Sequence, residues 1–174
     1  LVCGGVGLYI KDNLKYSILE QKSTCAFQAL WIEIHLPKKK NIICGIIYRQ
    51  HNSPESFLEY FNEALDKFTS RNHPTYILGD FNINLLNSET CNFAYDFLTL
   101  LQSYFFTTTT DNPTRVYNTS ATLIDNIFLN IPENVTCSGN VISDVSDHFT
   151  QFCIMSYVRS YFQPKLVEWT GYET

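Results

Sequence analysis

The sequence predicts an α/β fold in which two sheets stack face to face with helices outside, and three observations carry that expectation. Apolar strand-like runs alternate with two stretches of helical periodicity, in the order strand, helix, strand, helix, then further strands. The chain of 174 residues is the length of one domain, and its 45% hydrophobic and 15% aromatic content can fill a core and excludes disorder. Several apolar runs also end abruptly in Gly, Asp, Asn or His, where open α/β sheets commonly place their sites.

Taken in order, Gly4-Gly5-Val6-Gly7 lacks the Lys-Ser/Thr of a phosphate-binding loop and reads as a tight turn into a strand over 8–10. A short strand follows at 16–19. Residues 29–36 alternate apolar and polar as in a half-exposed antiparallel strand, and 37–41 form its hairpin turn. Lys38, Lys39 and Lys40 read as a solvated turn, with phosphate contact as the other reading. The apolar strand 41–48 delivers Tyr48 and Arg49 to its end. Ser53 as N-cap and Pro54 at the first position start a helix whose buried stripe is Phe57, Leu58, Phe61, Leu65 and Phe68.

A β-prone run, Tyr76-Ile77-Leu78, then leads into Gly79-Asp80-Phe81-Asn82. Gly79 lets the backbone turn close beside a ligand. The same tetrad is also ordinary turn chemistry, since Asp and Asn bond their own backbone. Residues 84–92 read as a polar loop, and Phe93, Phe97, Leu98, Leu100 and Leu101 mark a second helix ending near Ser103. The Thr-rich segment 107–111 is β-prone but equally a polar loop. Pro113-Thr114-Arg115-Val116 re-enters a strand, where Arg115 is either a phosphate contact or an ordinary exposed Arg. A polar loop at 117–122 precedes the strand-like 123–129, in which Asp125 needs a partner because burying an unpaired charge is costly. Strands at 135–142 and 149–158 flank a loop carrying Ser146-Asp147-His148. Periodicity is lost beyond Ser160, giving a domain over 1–158 and a linker or tail over 159–174.

A formal charge of −5 is not that of a protein held on DNA by a broad basic surface, so nucleic-acid contacts must be local. The six cysteines, Cys3, Cys25, Cys44, Cys91, Cys137 and Cys153, form no C-x-x-C pair and no zinc spacing with His. Cys44 and Cys153 read as small core residues of a reducing compartment. No run approaches the roughly 20 apolar residues of a membrane span. Carboxylates, a carboxamide and an imidazole at strand ends are what phosphate-ester hydrolysis requires.

In chain order, Tyr48-Arg49, Gly79-Asp80-Phe81-Asn82, Pro113-Thr114-Arg115, Leu123 to Phe128 and Ser146-Asp147-His148 resemble the endonuclease/exonuclease/phosphatase superfamily. Within it they resemble the endonuclease domain of non-LTR, LINE-type retrotransposons. The resemblance implies a four-layer, DNase I-like α/β sandwich lacking its first strand and helix, and with them an Asn and a metal-binding Glu. It implies an Mg²⁺- or Mn²⁺-dependent, DNA-nicking phosphodiesterase that primes a downstream reverse transcriptase domain, acts in the nucleus and needs no membrane. The implied catalytic residues are Tyr48, Asp80, Asn82, Asp125 and His148, with Asp80 on the attacking water and Asn82 and His148 on the phosphate. Asp125 would hold the His148 ring, Asp147 would face the metal, and Thr114, Arg115 and Ser146 would contact substrate. Weak metal binding and impaired cleavage follow for a chain without the Asn and Glu. Another phosphoesterase of the same fold, or a decayed non-catalytic copy, are the competing readings.

Overall fold

The computed structural model describes residues 5–51, 56–143 and 145–156. Ten strands and two helices follow one another as β1 (Lys15–Ser23), β2 (Phe27–His35), β3 (Ile42–Arg49), α1 (Ser56–Thr69), β4 (Thr75–Asp80), α2 (Asn92–Ser103), β5 (Thr107–Thr108), β6 (Arg115–Tyr117), β7 (Ser120–Thr122), β8 (Asp125–Leu129), β9 (Val135–Val141) and β10 (Thr150–Met155). The main sheet has six strands in the order β1-β2-β3-β4-β8-β5. Only β3 and β4 run parallel, joined by α1 as crossover, and the other pairs are antiparallel. Two further two-stranded sheets are β9-β10 and β6-β7.

Side chains on neighbouring strands share a face in register, so the two faces of the main sheet can be read directly. Ala29, Trp31, Ile43, Ile47, Ile77 and Phe128 face the helices. There Trp31 stacks on Phe68 at 4.4 Å, and its indole nitrogen donates to the Tyr60 hydroxyl at 3.0 Å. Helix α1 meets this face with Phe57, Tyr60, Phe61, Ala64, Leu65 and Phe68, a stripe at 3.6-residue spacing. Gly45 is required beneath the Trp31 ring, since a Cβ there would lie 2.6 Å from it. On the opposite face, Ile34, Ile42, Cys44, Tyr76, Leu78 and Ile127 share a cavity of about 430 Å³ with Phe152, Cys153 and Met155 of β10. The smaller sheet therefore lies across the face that the helices leave open, which gives the stacked α/β arrangement expected from the sequence.

Several local expectations are corrected. Residues 8–10 form no strand, and residues 117–122 form the β6-β7 hairpin, turning through Asn118 at φ 51°, rather than a plain polar loop. A single 3₁₀ turn, Leu85–Asn87, interrupts the polar segment after β4. The short strand foreseen at 16–19 extends over all of β1, which pairs with β2 through a bulge between Ile18 and Glu20. The helix-start residues Ser53 and Pro54, and the boundary between domain and tail after residue 158, lie outside the described residues.

Candidate active site

Strand register assembles the site. Tyr48 on β3 lies beside Asp80 on β4, and Asp80 lies opposite Asp125 on β8, so the three occupy one row on the face turned away from the helices. The next row inward is Ile46, Leu78 and Ile127, so polar chemistry is confined to the end of the sheet. His148 closes the group, its Nδ1 at 3.0 and 3.1 Å from the two carboxylate oxygens of Asp125.

The Gly79-Asp80-Phe81-Asn82 segment is fixed from below. Phe81 is buried, with its ring 5.1 Å from Phe128, 5.3 Å from Phe97 and 6.2 Å from Phe61. Arg49, buried at the end of β3 over the Phe57 and Phe93 rings, donates through Nη1 to the carbonyls of Phe81 and Asn82 at 3.3 and 3.2 Å. Asn82 returns the contact, its Nδ2 donating to the Arg49 carbonyl at 2.7 Å. Its backbone N–H donates to Asp80 Oδ1 at 3.0 Å, an Asx turn that holds Asn82 at φ 49°. Gly79 serves a neighbouring strand, not a ligand: at φ 153°, a Cβ would lie 1.7 Å from the Ile47 carbonyl oxygen.

Asp125 is held differently. Thr114 is fully buried, and its hydroxyl donates to Asp125 Oδ2 at 2.9 Å while accepting from the backbone N–H groups of Ile124 and Asp125 at 3.2 and 3.0 Å. A residue expected to touch substrate is thus placed beneath the carboxylate, with its one proton committed. The 147–149 segment lies along 114–116 like a third strand: Val116 N–H donates to the Asp147 carbonyl at 3.0 Å, and Phe149 N–H to the Thr114 carbonyl at 2.7 Å. Arg115 Nε donates to Asp147 Oδ2 at 2.7 Å, and this contact holds the Asp147 carboxyl below its ordinary range. Asp147, expected at a metal, is therefore turned to Arg115, and Arg115, expected at a phosphate, is turned to Asp147. The exposed Ser146 accepts the His148 backbone N–H at 3.1 Å and so shapes the loop.

The electrostatics follow from the row. Burial and the neighbouring Asp125 carboxylate raise the Asp80 carboxyl to about 6, against the opposing pull of the Asn82 N–H, His148 and Arg115. Two carboxylates side by side in a half-buried cleft call for a cation. Asp80, Asp125 and His148 each offer a ligand atom, all within 4.8 Å of one another, and hard oxygen donors of this kind suit Mg²⁺ or Mn²⁺.

Some supporting residues carried no assigned role in the sequence. Arg49 was legible only as a neighbour of Tyr48, although a cation ending an otherwise apolar strand signals a buried clamp. Asn84 reads as loop, yet its Oδ1 accepts from both Leu86 N–H at 3.3 Å and Leu123 N–H at 3.0 Å, tying the segment after β4 to the approach to β8.

Fold and site together define an α/β sandwich of the hydrolytic kind, with its polar chemistry at the ends of the central strands. The chain belongs to the endonuclease/exonuclease/phosphatase family, whose model matches residues 4–148. Among solved structures, it is similar to the endonuclease domain of TRAS1, a telomere-specific non-LTR retrotransposon: TM-score 0.65 and 17% identity over 80% of this chain and 65% of that one. A family protein from Bacteroides thetaiotaomicron superposes with TM-score 0.55 and 15% identity, covering 79% of this chain and 64% of that one. The catalytic domain of Xenopus laevis APE2 gives 0.50 and 15%, over 76% and 58%. No curated protein matches the sequence. The chain thus spans less than two thirds of the length of these structures. Among the described residues, no helix is long and apolar enough to cross a membrane.

Proposed function

We propose that this chain is part of a metal-dependent, DNA-nicking endonuclease domain of a LINE-type element, whose cut primes synthesis by a downstream reverse transcriptase domain. The observation that carries the reading is the row Tyr48, Asp80 and Asp125 closed by His148, at one end of a sheet that is otherwise apolar on that face. In-line hydrolysis needs an oriented water, a neutralised phosphorane and a stabilised leaving oxygen. Asp80 keeps Oδ2 outside its Asx turn, and this atom orients the water. With Nδ1 on Asp125, the His148 ring presents Nε2 to the phosphate, and the carboxylate favours the imidazolium. Asn82 holds its amide at the same edge, and Tyr48 offers a hydroxyl from the adjacent strand.

A bound Mg²⁺ or Mn²⁺ supplies charge neutralisation, with Asp80 and Asp125 as oxygen donors and Asp147 joining if it leaves Arg115. Arg115 so released becomes the phosphate contact. Two or three protein ligands hold an ion weakly, so cleavage by this stretch alone is low. The nucleus is the compartment that holds the substrate.

Nicking of supercoiled plasmid with Mg²⁺ or Mn²⁺ tests the proposal, using this chain, a longer protein that contains it, and the longer protein carrying His148→Ala. The expected result is robust nicking by the longer protein, a loss of at least about 100-fold in the variant, and little nicking by this chain. A folded longer protein that leaves DNA intact but hydrolyses a phosphomonoester moves the assignment to a phosphatase of the same fold.

A further inference from the structure

Gln151 stands on the inner face of β10, in the cleft that also exposes Asp80 and Asp125. It lines a cavity of about 280 Å³ together with Leu78, Gly79, Asp80, Asp125, Asn126, Ile127 and Phe149. Its carboxamide nitrogen is buried without a hydrogen-bond partner. Directly across the β9-β10 ladder lies Asn140, which uses Nδ2 on the Pro113 carbonyl at 3.1 Å and leaves Oδ1 buried and unpartnered. The two amides face each other without bonding.

A donor kept in this state costs desolvation energy with no return in the free protein, and such a group in a native fold calls for an explanation. Packing alone does not supply one, because Leu would fill the same volume with no polar atom. Asn126 is also buried and unpartnered at both polar atoms, but it pairs with Gly79 on the helix side of the sheet and points away from the carboxylate row. Gln151 is on the site's side.

We propose that the Gln151 carboxamide is a substrate-binding group, donating Nε2–H to a non-bridging oxygen of the phosphodiester when the cleft is filled. The assignment rests on the phosphodiester reading of the site and deepens it. A neutral donor suits this position. It adds no charge to compete for the Asp80 and Asp125 carboxylates, and it supplies from the small sheet the contact that His148 and Asn82 supply from the main sheet and its loops.

The test is equilibrium binding of two probes to the chain itself, with Ca²⁺ present: a short DNA duplex and bis-p-nitrophenyl phosphate. Wild type is compared with Gln151→Leu and Gln151→Glu, and the side-chain amide signal of Gln151 is followed by ¹⁵N NMR. Loss of a hydrogen bond to a charged oxygen is expected to raise Kd about tenfold for both probes in Gln151→Leu, and further in Gln151→Glu. The wild-type amide signal should move on titration, and Gln151→Leu should melt no lower than wild type, which separates the effect from misfolding. If Gln151→Leu binds both probes as tightly as wild type, the proposal is overturned. If wild type binds the small diester through Gln151 but ignores the duplex, the DNA reading fails and the Gln151 assignment stands.

Discussion

Asp80 and His148 meet in one cleft, but the first is anchored by the core and the second by a zip of backbone hydrogen bonds. Beneath Asp80 lie Phe81, ringed by Phe61, Phe97 and Phe128, and Arg49, clamped to the Phe81 and Asn82 carbonyls. Beneath His148 lie Asp125, the Thr114 hydroxyl, two backbone bonds to 114–116 and the partly exposed Arg115–Asp147 pair. The first half costs global stability to disturb. The second half can move while the domain stays folded, which is what a residue that must follow a phosphate through its transition state requires.

The sharpest way to break this contrast is to empty the core beneath the first half. Phe81→Ala should destabilise the domain by about 3–5 kcal/mol, read as a fall in the urea midpoint. Should it leave the midpoint unchanged, the aromatic cluster does not hold Asp80.

Next in size is the Asp80 charge. Its carboxyl is raised to about 6 in the fold, from an ordinary value of 3.8, so the folded state binds the extra proton between those values. Stability from this group therefore falls as pH rises through that window, and the penalty is complete above about pH 6. Asp80→Asn should raise metal-free stability near neutral pH by up to about 3 kcal/mol, and change little near pH 4. Equal melting of the two proteins at both pH values contradicts a like-charge row.

The smallest effect belongs to the second half. Arg115→Ala removes a partly exposed ion pair and should leave the melting temperature nearly unchanged. Amide exchange at Val116 and Phe149 should quicken, while exchange at Leu78 does not. Uniform quickening throughout the sheet would mean that the two halves unfold as one.

How much of this was legible depends on the range of the interaction. The α1 stripe and the apolar strands that became β3, β4 and β8 follow from local periodicity, and Asp125 was marked by being a carboxylate in an apolar run. The pairing of Asp80 with Asp125 is a matter of register between strands far apart in the chain, which no local pattern encodes. Thr114 was read as a surface contact because burial of a hydroxyl depends on the strand that later covers it. Gly79 was read as making room for a ligand, whereas the constraint is the Ile47 carbonyl of the adjacent parallel strand. Residues 117–122 carry the polar composition of a loop, and their hairpin pairing is visible only in three dimensions.

The claim on which the account turns is that β4 and β8 bring two carboxylates together to hold a divalent ion. Thermal melting near pH 7, with and without millimolar Mn²⁺, tests it in wild type and in Asp80→Asn. The account predicts that Mn²⁺ raises the wild-type melting temperature and leaves the variant, already higher without the ion, unmoved. Identical responses of the two proteins to Mn²⁺ would contradict it.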